Sequence, residues 1–551
     1  MSSDDAPRLF VLCPVTRRQL APFIAIAAAL QQRGWICALA AADSHLDDTL
    51  RSSGVFSEFV PLEWPVDQVP YTPRFAKAYA GASASLVEQA QVDAEFSDKF
   101  ADAMCRTAFA AAKSFRATAL LASLTAVPEA LTIGQRFNAP VYIVADRPFA
   151  DSAVLPPITF VADVAEPKKK PKSAQSSAEP STPSLASPFN RLLHWGARQW
   201  RQLDAGDRID KFRTEIGLGD AFNFKYSRLP QLLMISDAFM TRPSDYGDNI
   251  AMPGFATLPP ALLAAHALEP ELLSFLGHSD SHSLPIAPVF VCFGDMPAPE
   301  GTVELVVQTL AKLKMRGILA GRIASTIESR MPPHIYVCVK EPPLQLLLPR
   351  CSVAVIAGDA ADVAVALQSS CAALALWVTP TQLFFAQRLV ALYAENVAQP
   401  DRSALPLSAL DGARLASELT FLNSEAVRAR VAAMATRVNA EASAASAALW
   451  IERRYAFERH SGVGMGEKGW QPDAEAPVCS VCRSEFTLLN RRHHCRACGR
   501  VALAGCLALD TVPNYNDEVM VCQQCFEGRA KLRLAAAAAE DAAASSAQPQ
   551  V

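Results

Sequence analysis

Seven of the fourteen cysteines in this 551-residue chain fall between Cys479 and Cys525. They are spaced as Cys479-x-x-Cys482, Cys495-x-x-Cys498, a single Cys506, and Cys522-x-x-Cys525. Paired thiolates at this spacing suit tetrahedral structural zinc, and a segment this short needs a metal to hold a fold. The other seven cysteines are scattered through apolar segments, so the pattern belongs to a reducing compartment with clustered metal ligands rather than to a disulfide framework. Of these, Cys13, Cys37, Cys292 and Cys338 sit inside strand-like runs and are expected to be small core residues. Around the second pair, Arg491-Arg492-His493-His494-Cys495-Arg496 packs three arginines and two histidines together, a dense site for an anion.

Outside that segment the chain is long enough for several cores, with about 150 residues to a domain. Half of its residues are apolar and the formal net charge is only -4. This balance excludes a wholly disordered chain and a general nucleic-acid binder, so any electrostatic partner must be read locally. Met1 to Ala6 carry two aspartates and no basic cluster, unlike a signal or transit peptide. No apolar run reaches the eighteen residues of a spanning helix. A cytoplasmic protein with peripheral membrane contact is expected.

The apolar pattern alternates between short runs and helical spacing. Leu9 to Cys13 reads as a strand, Leu20 to Arg33 as a helix and Trp35 to Ala40 as a second strand. Further strands fit at Phe59-Val60, Ala119 to Ala122 and Val141 to Val144, with a helix over Phe96 to Ala117. From Glu166 to Pro188 the periodicity stops in a Lys-, Ser- and Pro-rich stretch that reads as a disordered insertion, and Trp195 to Phe222 then reads as amphipathic helix. A second series runs through Val289 to Phe293, Val303 to Met315, Ile335 to Cys338, Val353 to Ile356, Val363 to Leu367 and Ala373 to Trp377, after a hinge near Leu258 to Pro285. Strands alternating with helices predict two tandem doubly wound, Rossmann-like α/β domains. Their spans are 1–165 with 189–262, and 284–460; a small zinc-stabilised module over 466–530 follows a joint at Gly462, Gly464 and Gly466, and the Ala-rich tail 534–551 comes last.

Over roughly residues 7 to 455 this tandem resembles the two-domain, GT-B-type glycosyltransferases of the sterol 3-β-glucosyltransferase kind. The segments that carry it are Leu12 to Phe23, Arg242 to Phe255, Val289 to Pro297, and Leu348-Pro349-Arg350-Cys351. The resemblance implies a cleft between the domains, a nucleotide-sugar on the second and a sterol or other lipid acceptor on the first. The catalytic motifs depart from the family pattern. The first loop reads Val15-Thr16-Arg17-Arg18-Gln19, without the family's glycines and with Gln19 at the position of its aspartate base. A glutamine amide has no useful basicity. The family's glycine-rich donor loop falls on Ile356-Ala357-Gly358-Asp359-Ala360-Ala361-Asp362, which keeps Gly358 but places two carboxylates, Asp359 and Asp362, where a diphosphate would need amide donors. Of the family's Asp-Gln pair for sugar hydroxyls only Gln382 remains, after Thr381, and the family's Pro-His appears as Pro343-Leu344. A scaffold or lipid-pocket module without catalytic residues is expected; the alternative is an active, membrane-targeted UDP-sugar-dependent sterol or lipid glycosyltransferase.

The cysteine pattern, Trp470-Gln471-Pro472-Asp473 and the Arg491 to Arg496 stretch together resemble the FYVE zinc-finger family over residues 470 to 528. The resemblance implies two interleaved zinc sites: Cys495, Cys498, Cys522 and Cys525 complete one, while Cys479, Cys482 and Cys506 lack the ligand whose position is taken by Leu503. It further implies that Arg491, Arg492, His493, His494 and Arg496 grip the headgroup of phosphatidylinositol 3-phosphate on endosomal membrane. Asp473 would bind headgroup hydroxyls, with Trp470 beside it, and Leu488 and Leu489 would enter the bilayer. Protonation of His493 and His494 would add to phosphate attraction, so stronger binding in mildly acidic solution is expected. Met520 replaces an arginine of the family pattern, which removes one phosphate contact.

Overall fold

The chain is described in a computed structural model over residues 6–63, 86–150, 152, 209–218, 229–277, 287–294, 296, 298–325, 327, 331–338, 341–394, 402–460, 471, 473, 476–487, 490–512 and 518–531. The insertion at 166–188, most of the helix expected after Trp195, the glycine joint, Trp470, Leu488, Leu489 and the tail lie outside these residues.

The apolar runs at the start of the chain have no polar alternation, and they form strands buried on both faces, as parallel sheets require. The first sheet contains β1 (Arg8–Leu12), β2 (Ile36–Ala42), β3 (Glu58–Leu62), β4 (Ala119–Ser123), β5 (Val141–Ala145), β6 (Gln231–Leu233) and β7 (Ile250–Ala251). Its order is β3-β2-β1-β4-β5-β6-β7 and all pairings are parallel. Helix α1 (Ala21–Gln31) covers one face; α2 (Leu86–Phe115) and α3 (Val127–Phe137) cover the other. Strand alternation divides the core accordingly, with Leu9 and Val11 facing α1 and Phe10 and Leu12 facing α2 and α3.

The second sheet contains β8 (Val289–Cys292), β9 (Gly317–Ala320), β10 (Ile335–Cys338), β11 (Val353–Ala357), β12 (Ala372–Trp377) and β13 (Leu405–Pro406), in the parallel order β10-β9-β8-β11-β12-β13. Helices α4 (Ala360–Gln368), α5 (Pro380–Ala394) and α6 (Glu425–Asn439) belong to it. Within the expected hinge, Pro260–Leu263 and Pro270–Gly277 are short helices, and Leu268 and Leu272 are buried in the second core, while residues 278–285 lie outside the described residues. The last helix of this body, α7 (Ser443–His460), returns to the first domain. Its Ala447, Ala448, Ile451 and Tyr455 pack in the α1 core, with the Tyr455 ring 4.8 Å from Trp35. This helix falls within the expected span 284–460, at the place where the family resemblance implies a return to the first domain.

Both sheets reverse strand order beside their first strands, between β1 and β4 and between β8 and β11. In open α/β sheets, loops at such switch points leave room for a ligand at the carboxyl ends of the strands. Here those loops carry Val15 to Gln19, Ser123 to Thr125, Phe293-Gly294 and Gly358-Asp359, with Asp362 in the first turn of the helix that follows, so every singled-out cleft residue except Gln382 lies at a switch point.

The C-terminal module has two antiparallel ribbons, β14 (Arg492–His494) with β15 (Val501–Leu503), and β16 (Leu507–Thr511) with β17 (Glu518–Cys522). A short helical segment follows over residues 523–531. Its apolar core is small: Cys495, Ala497, Val512, Val521 and Cys522 are buried, with a few partly buried neighbours. So few side chains cannot hold a fold of this size without a further constraint.

Candidate metal centre and interdomain cleft

That constraint lies in the sulfurs. The thiols of Cys495, Cys498, Cys522 and Cys525 converge, each within 4.8 Å of the others, and those of Cys479, Cys482 and Cys506 converge separately to the same tolerance. These are the two groupings that interleaved pairs imply. A tetrahedron of sulfurs about 2.3 Å from zinc has an edge of about 3.8 Å, and Cys498 Sγ lies 3.8 Å from Cys522 Sγ. Backbone amides support thiolate charge: Cys522 N donates to Cys495 Sγ at 3.1 Å and Cys498 N at 3.4 Å. The donor set therefore fits zinc, held by Cys495, Cys498, Cys522 and Cys525. In the second group Leu503 offers only its backbone N–H, which donates to Cys479 Sγ at 3.3 Å.

The β14 strand carries the basic motif across the face above these knuckles. Arg491 and Arg492 are exposed, and His493, His494 and Arg496 are partly so. Arg492 Nε donates to the Ala476 carbonyl at 3.2 Å, and its guanidinium sits 4.7 Å from the Phe486 ring centre. His494 Nε2 is 2.7 Å from the Gln471 carbonyl and 3.7 Å from the Asp473 carboxylate. Asp473 therefore lies beside His494, while Arg492, His493 and His494 follow one another along β14 with Arg491 and Arg496 at its ends. Arg496 N donates to the Met520 carbonyl at 2.9 Å, which ties β17 to the turn after β14 and sets Met520 at the border of this face. The exposed Met520 side chain pairs across the ribbon with exposed Leu509.

The module is seated on the first α/β domain. Asn138 caps α3 in the left-handed region at φ 51°, a conformation asparagine tolerates, and its Nδ2 donates to the Ala497 carbonyl at 2.8 Å in a buried contact. Close by, Glu458 of α7 accepts from Tyr142 Oη at 3.0 Å, and the charges of Arg454 and Arg529 also act on it. Arg529 itself is buried in an ion pair with Asp510 at 2.9 Å. The finger's position on the body cannot be read from spacing, because Asn138 is an ordinary helix-capping residue in the sequence.

The cleft is more changed than its motifs suggest. Gln19 makes local contacts: its Oε1 accepts from Thr16 N at 3.2 Å and its Nε2 lies 3.3 Å from the Asp146 carboxylate. Gln382 is fully buried, and its Oε1 accepts from the amides of Val378 and Thr379 at 2.8 and 3.0 Å. It caps the start of α5 and also lies 3.4 Å from Asp359. Gly358 is fixed by packing, since a Cβ there would come within 2.6 Å of the Gln382 carbonyl oxygen. Asp362 is not a bare carboxylate facing a ligand. It is 1% exposed and ion-paired with Arg18, from the loop where the family pattern has glycine. The expectation of uncompensated negative charge from Asp362 is corrected by this pairing, which sequence reasoning misses; a cation gained in one loop and an acid gained in another are the available signal.

Beside this pair is a mostly apolar cavity of about 60 Å³, with Gln19, Phe23, Asp146, Phe255, Ala361 and Ala364 among its lining residues.

Burial pushes the Asp362 and Glu458 carboxyls up to about 7, against the attraction of Arg18 and Arg454 respectively. A carboxyl raised on folding binds its proton more tightly in the folded chain, so it favours folding at low pH, and that contribution is lost as pH rises toward 7. The Tm of the protein is thus expected to rise, from these two groups, as pH is lowered from about 7.5 to 6. In thermal melts, Asp362→Asn/Glu458→Gln should flatten this dependence; an unchanged slope would contradict the assignment.

Comparison with known proteins gives the same division. Residues 469–531 match the family model "FYVE zinc finger". The chain is 38% identical over 88 residues to "1-phosphatidylinositol-3-phosphate 5-kinase FAB1A" of Arabidopsis thaliana, and 42% identical over 77 residues to "FYVE, RhoGEF and PH domain-containing protein 6" of Homo sapiens. Each match covers 14% of this chain and only 5% of the relative's length. Among solved structures, the glycotransferase of kitacinnamycin aligns with a TM-score of 0.52 at 16% identity, covering 82% of this chain and 99% of that one. Identity that low shows the fold alone. The chain thus joins a body with the GT-B glycosyltransferase fold to a C-terminal FYVE zinc finger.

Proposed function

We propose that this protein is a peripheral membrane protein, recruited by its finger to endosomal membrane bearing phosphatidylinositol 3-phosphate, and that its GT-B-like body serves there as a non-catalytic scaffold. The observation that supports the first half is the exposed or partly exposed run Arg491, Arg492, His493, His494 and Arg496 beside Cys495 and Cys498 of the four-sulfur group. A phosphomonoester suits the guanidinium fork, and Asp473, 3.7 Å from His494, is assigned the headgroup hydroxyls on the family pattern. Trp470 and the membrane-entering pair Leu488 and Leu489 complete this reading from the family pattern. Among the described residues no helix is long and apolar enough to cross a membrane, so attachment is assigned to the finger. The second zinc site is proposed to be incomplete, with three thiolates and Leu503 at the fourth position.

The scaffold half rests on the cleft. Arg18, Asp362 and Glu341 satisfy one another where the donor diphosphate would lie, and Gln382 spends its carbonyl oxygen on the backbone of its own helix start. One observation favours the second reading, sugar transfer to a membrane sterol or lipid: Asp146 lies against Gln19 in the cavity wall and could stand in as a base. Calorimetric titration of the full chain with UDP-glucose, together with a radiolabelled-sugar transfer assay on sterol-containing vesicles, separates the two. No binding at millimolar donor and no transfer are expected; micromolar binding with turnover that Asp146→Asn abolishes would overturn the scaffold reading.

A further inference from the structure

Arg18 lies in the short turn Arg17–Leu20, after β1 of the first domain, yet its charged partners belong to the second. Its guanidinium is 2.5 Å from the Glu341 carboxylate, is ion-paired with Asp362, and has Nη2 2.9 Å from Cys292 Sγ at the end of β8. Partner and pocket are shaped for each other. Gly321 turns at φ 69°, and a Cβ on it would come within 2.6 Å of Cys292 Sγ, so the floor beneath the guanidinium depends on glycine there. Asp362 stands in the first turn of α4, whose free amides favour a negative charge. The helix start that could have held an external anion is thus supplied with an internal one, and the internal anion with an internal cation.

Other contacts between the domains lie elsewhere: the Phe239 ring stacks on Phe385 with centres 6.2 Å apart, in an apolar cluster that joins Ala145, Leu233, Ile235 and Phe255 to the second core. Ser236 Oγ donates to Glu441 at 2.6 Å, near the α6–α7 crossover, and Thr257 Oγ1 donates to Gln368 at 3.0 Å. The Arg18 cluster is instead at the switch-point loops, and the residues flanking its two ends, Gln19 and Ala361, line the apolar cavity. Contacts at the crossovers resist separation of the chain there; a contact at the loops resists rotation about the crossovers.

We propose that Arg18 is an interdomain latch: its ion pairs to Asp362 and Glu341 add to the shared apolar contact and hold the switch-point loops of the two domains together beside the apolar cavity. The latch is independent of lipid binding by the finger.

Hydrogen-exchange mass spectrometry on the full chain tests this, with small-angle X-ray scattering on the same samples. In Arg18→Ala, exchange in peptides covering 12–20, 341–347 and 358–364 is expected to rise about tenfold or more, with a larger radius of gyration, while β4 and β12 stay protected. Arg18→Lys should fall between the variant and the parent. Because Arg18→Ala strands two acids in a protein interior, the neutral variant Arg18→Met/Glu341→Gln/Asp362→Asn is measured beside it and is expected to be folded and open. Unchanged exchange and radius in Arg18→Ala would overturn the latch. So would a neutral triple variant that stays as closed as the parent, or that loses protection equally in β4, β12 and the cleft.

Discussion

Cys522→Ser is expected to release the zinc held by the four-sulfur site and to abolish membrane binding, while leaving the body folded. Cys522 is buried, its thiol is 3.8 Å from Cys498, and its own amide donates to Cys495, so its loss removes one metal ligand from the site. Structural zinc contributes about 10–16 kcal/mol to folding of zinc-finger peptides, far more than the few buried side chains of this module can replace. The two sheets of the body do not depend on those sulfurs, and their apolar clusters are separate from that of the finger. Metal analysis of the purified chain should show one tightly held zinc, none in Cys522→Ser, and two in Leu503→Cys, which restores the absent thiol. Two tightly held zincs in the parent chain would show that the Cys479, Cys482 and Cys506 site finds a fourth ligand elsewhere.

The double variant Arg491→Ala/Arg492→Ala is expected to weaken binding to phosphatidylinositol 3-phosphate by about 10²–10⁴-fold. A hydrogen bond to a charged group is worth about 1.5–3 kcal/mol, and two such contacts sum to about 3–6 kcal/mol, or tenfold for each 1.4 kcal/mol. Arg492 also bonds the Ala476 carbonyl and covers the Phe486 ring, so part of its effect is on the finger itself. Arg491 is exposed at the start of the same face, so Arg491→Ala alone isolates the headgroup share. Surface plasmon resonance on lipid-coated chips, with zinc content measured on the same preparation, gives both numbers; a loss under about threefold in the double variant with zinc retained would contradict the assigned role.

Much of the fold is legible because the strands are continuous apolar runs. Leu9 to Cys13, Val353 to Ile356 and Ala373 to Trp377 fall within a residue or two of the strands that form. The short edge strands β7 and β13 escape this reading, since two residues carry no periodicity. The α2 helix starts at Leu86, well before the expected Phe96, because its first turns lack a sharp start signal. In the finger, spacing alone announces the sulfurs, which must converge on one ion whatever the intervening sequence does. The cleft is the opposite case. Arg18 reads as a lost glycine and Asp362 as a misplaced charge, and neither reading contains the other, because an ion pair between residues 344 apart leaves no local pattern. Likewise Gln382 reads as a surviving sugar contact, whereas the fold uses it as a helix cap.

The central claim is that the finger brings this chain to membranes that carry a 3-phosphorylated inositol lipid. Co-sedimentation of the full chain with liposomes containing phosphatidylinositol, its 3-phosphate or its 4-phosphate measures this directly. Pelleting is predicted with the 3-phosphate, and not with the other two, and should be lost in Arg491→Ala/Arg492→Ala. Equal pelleting across all three lipids, unchanged by the double variant, would contradict it.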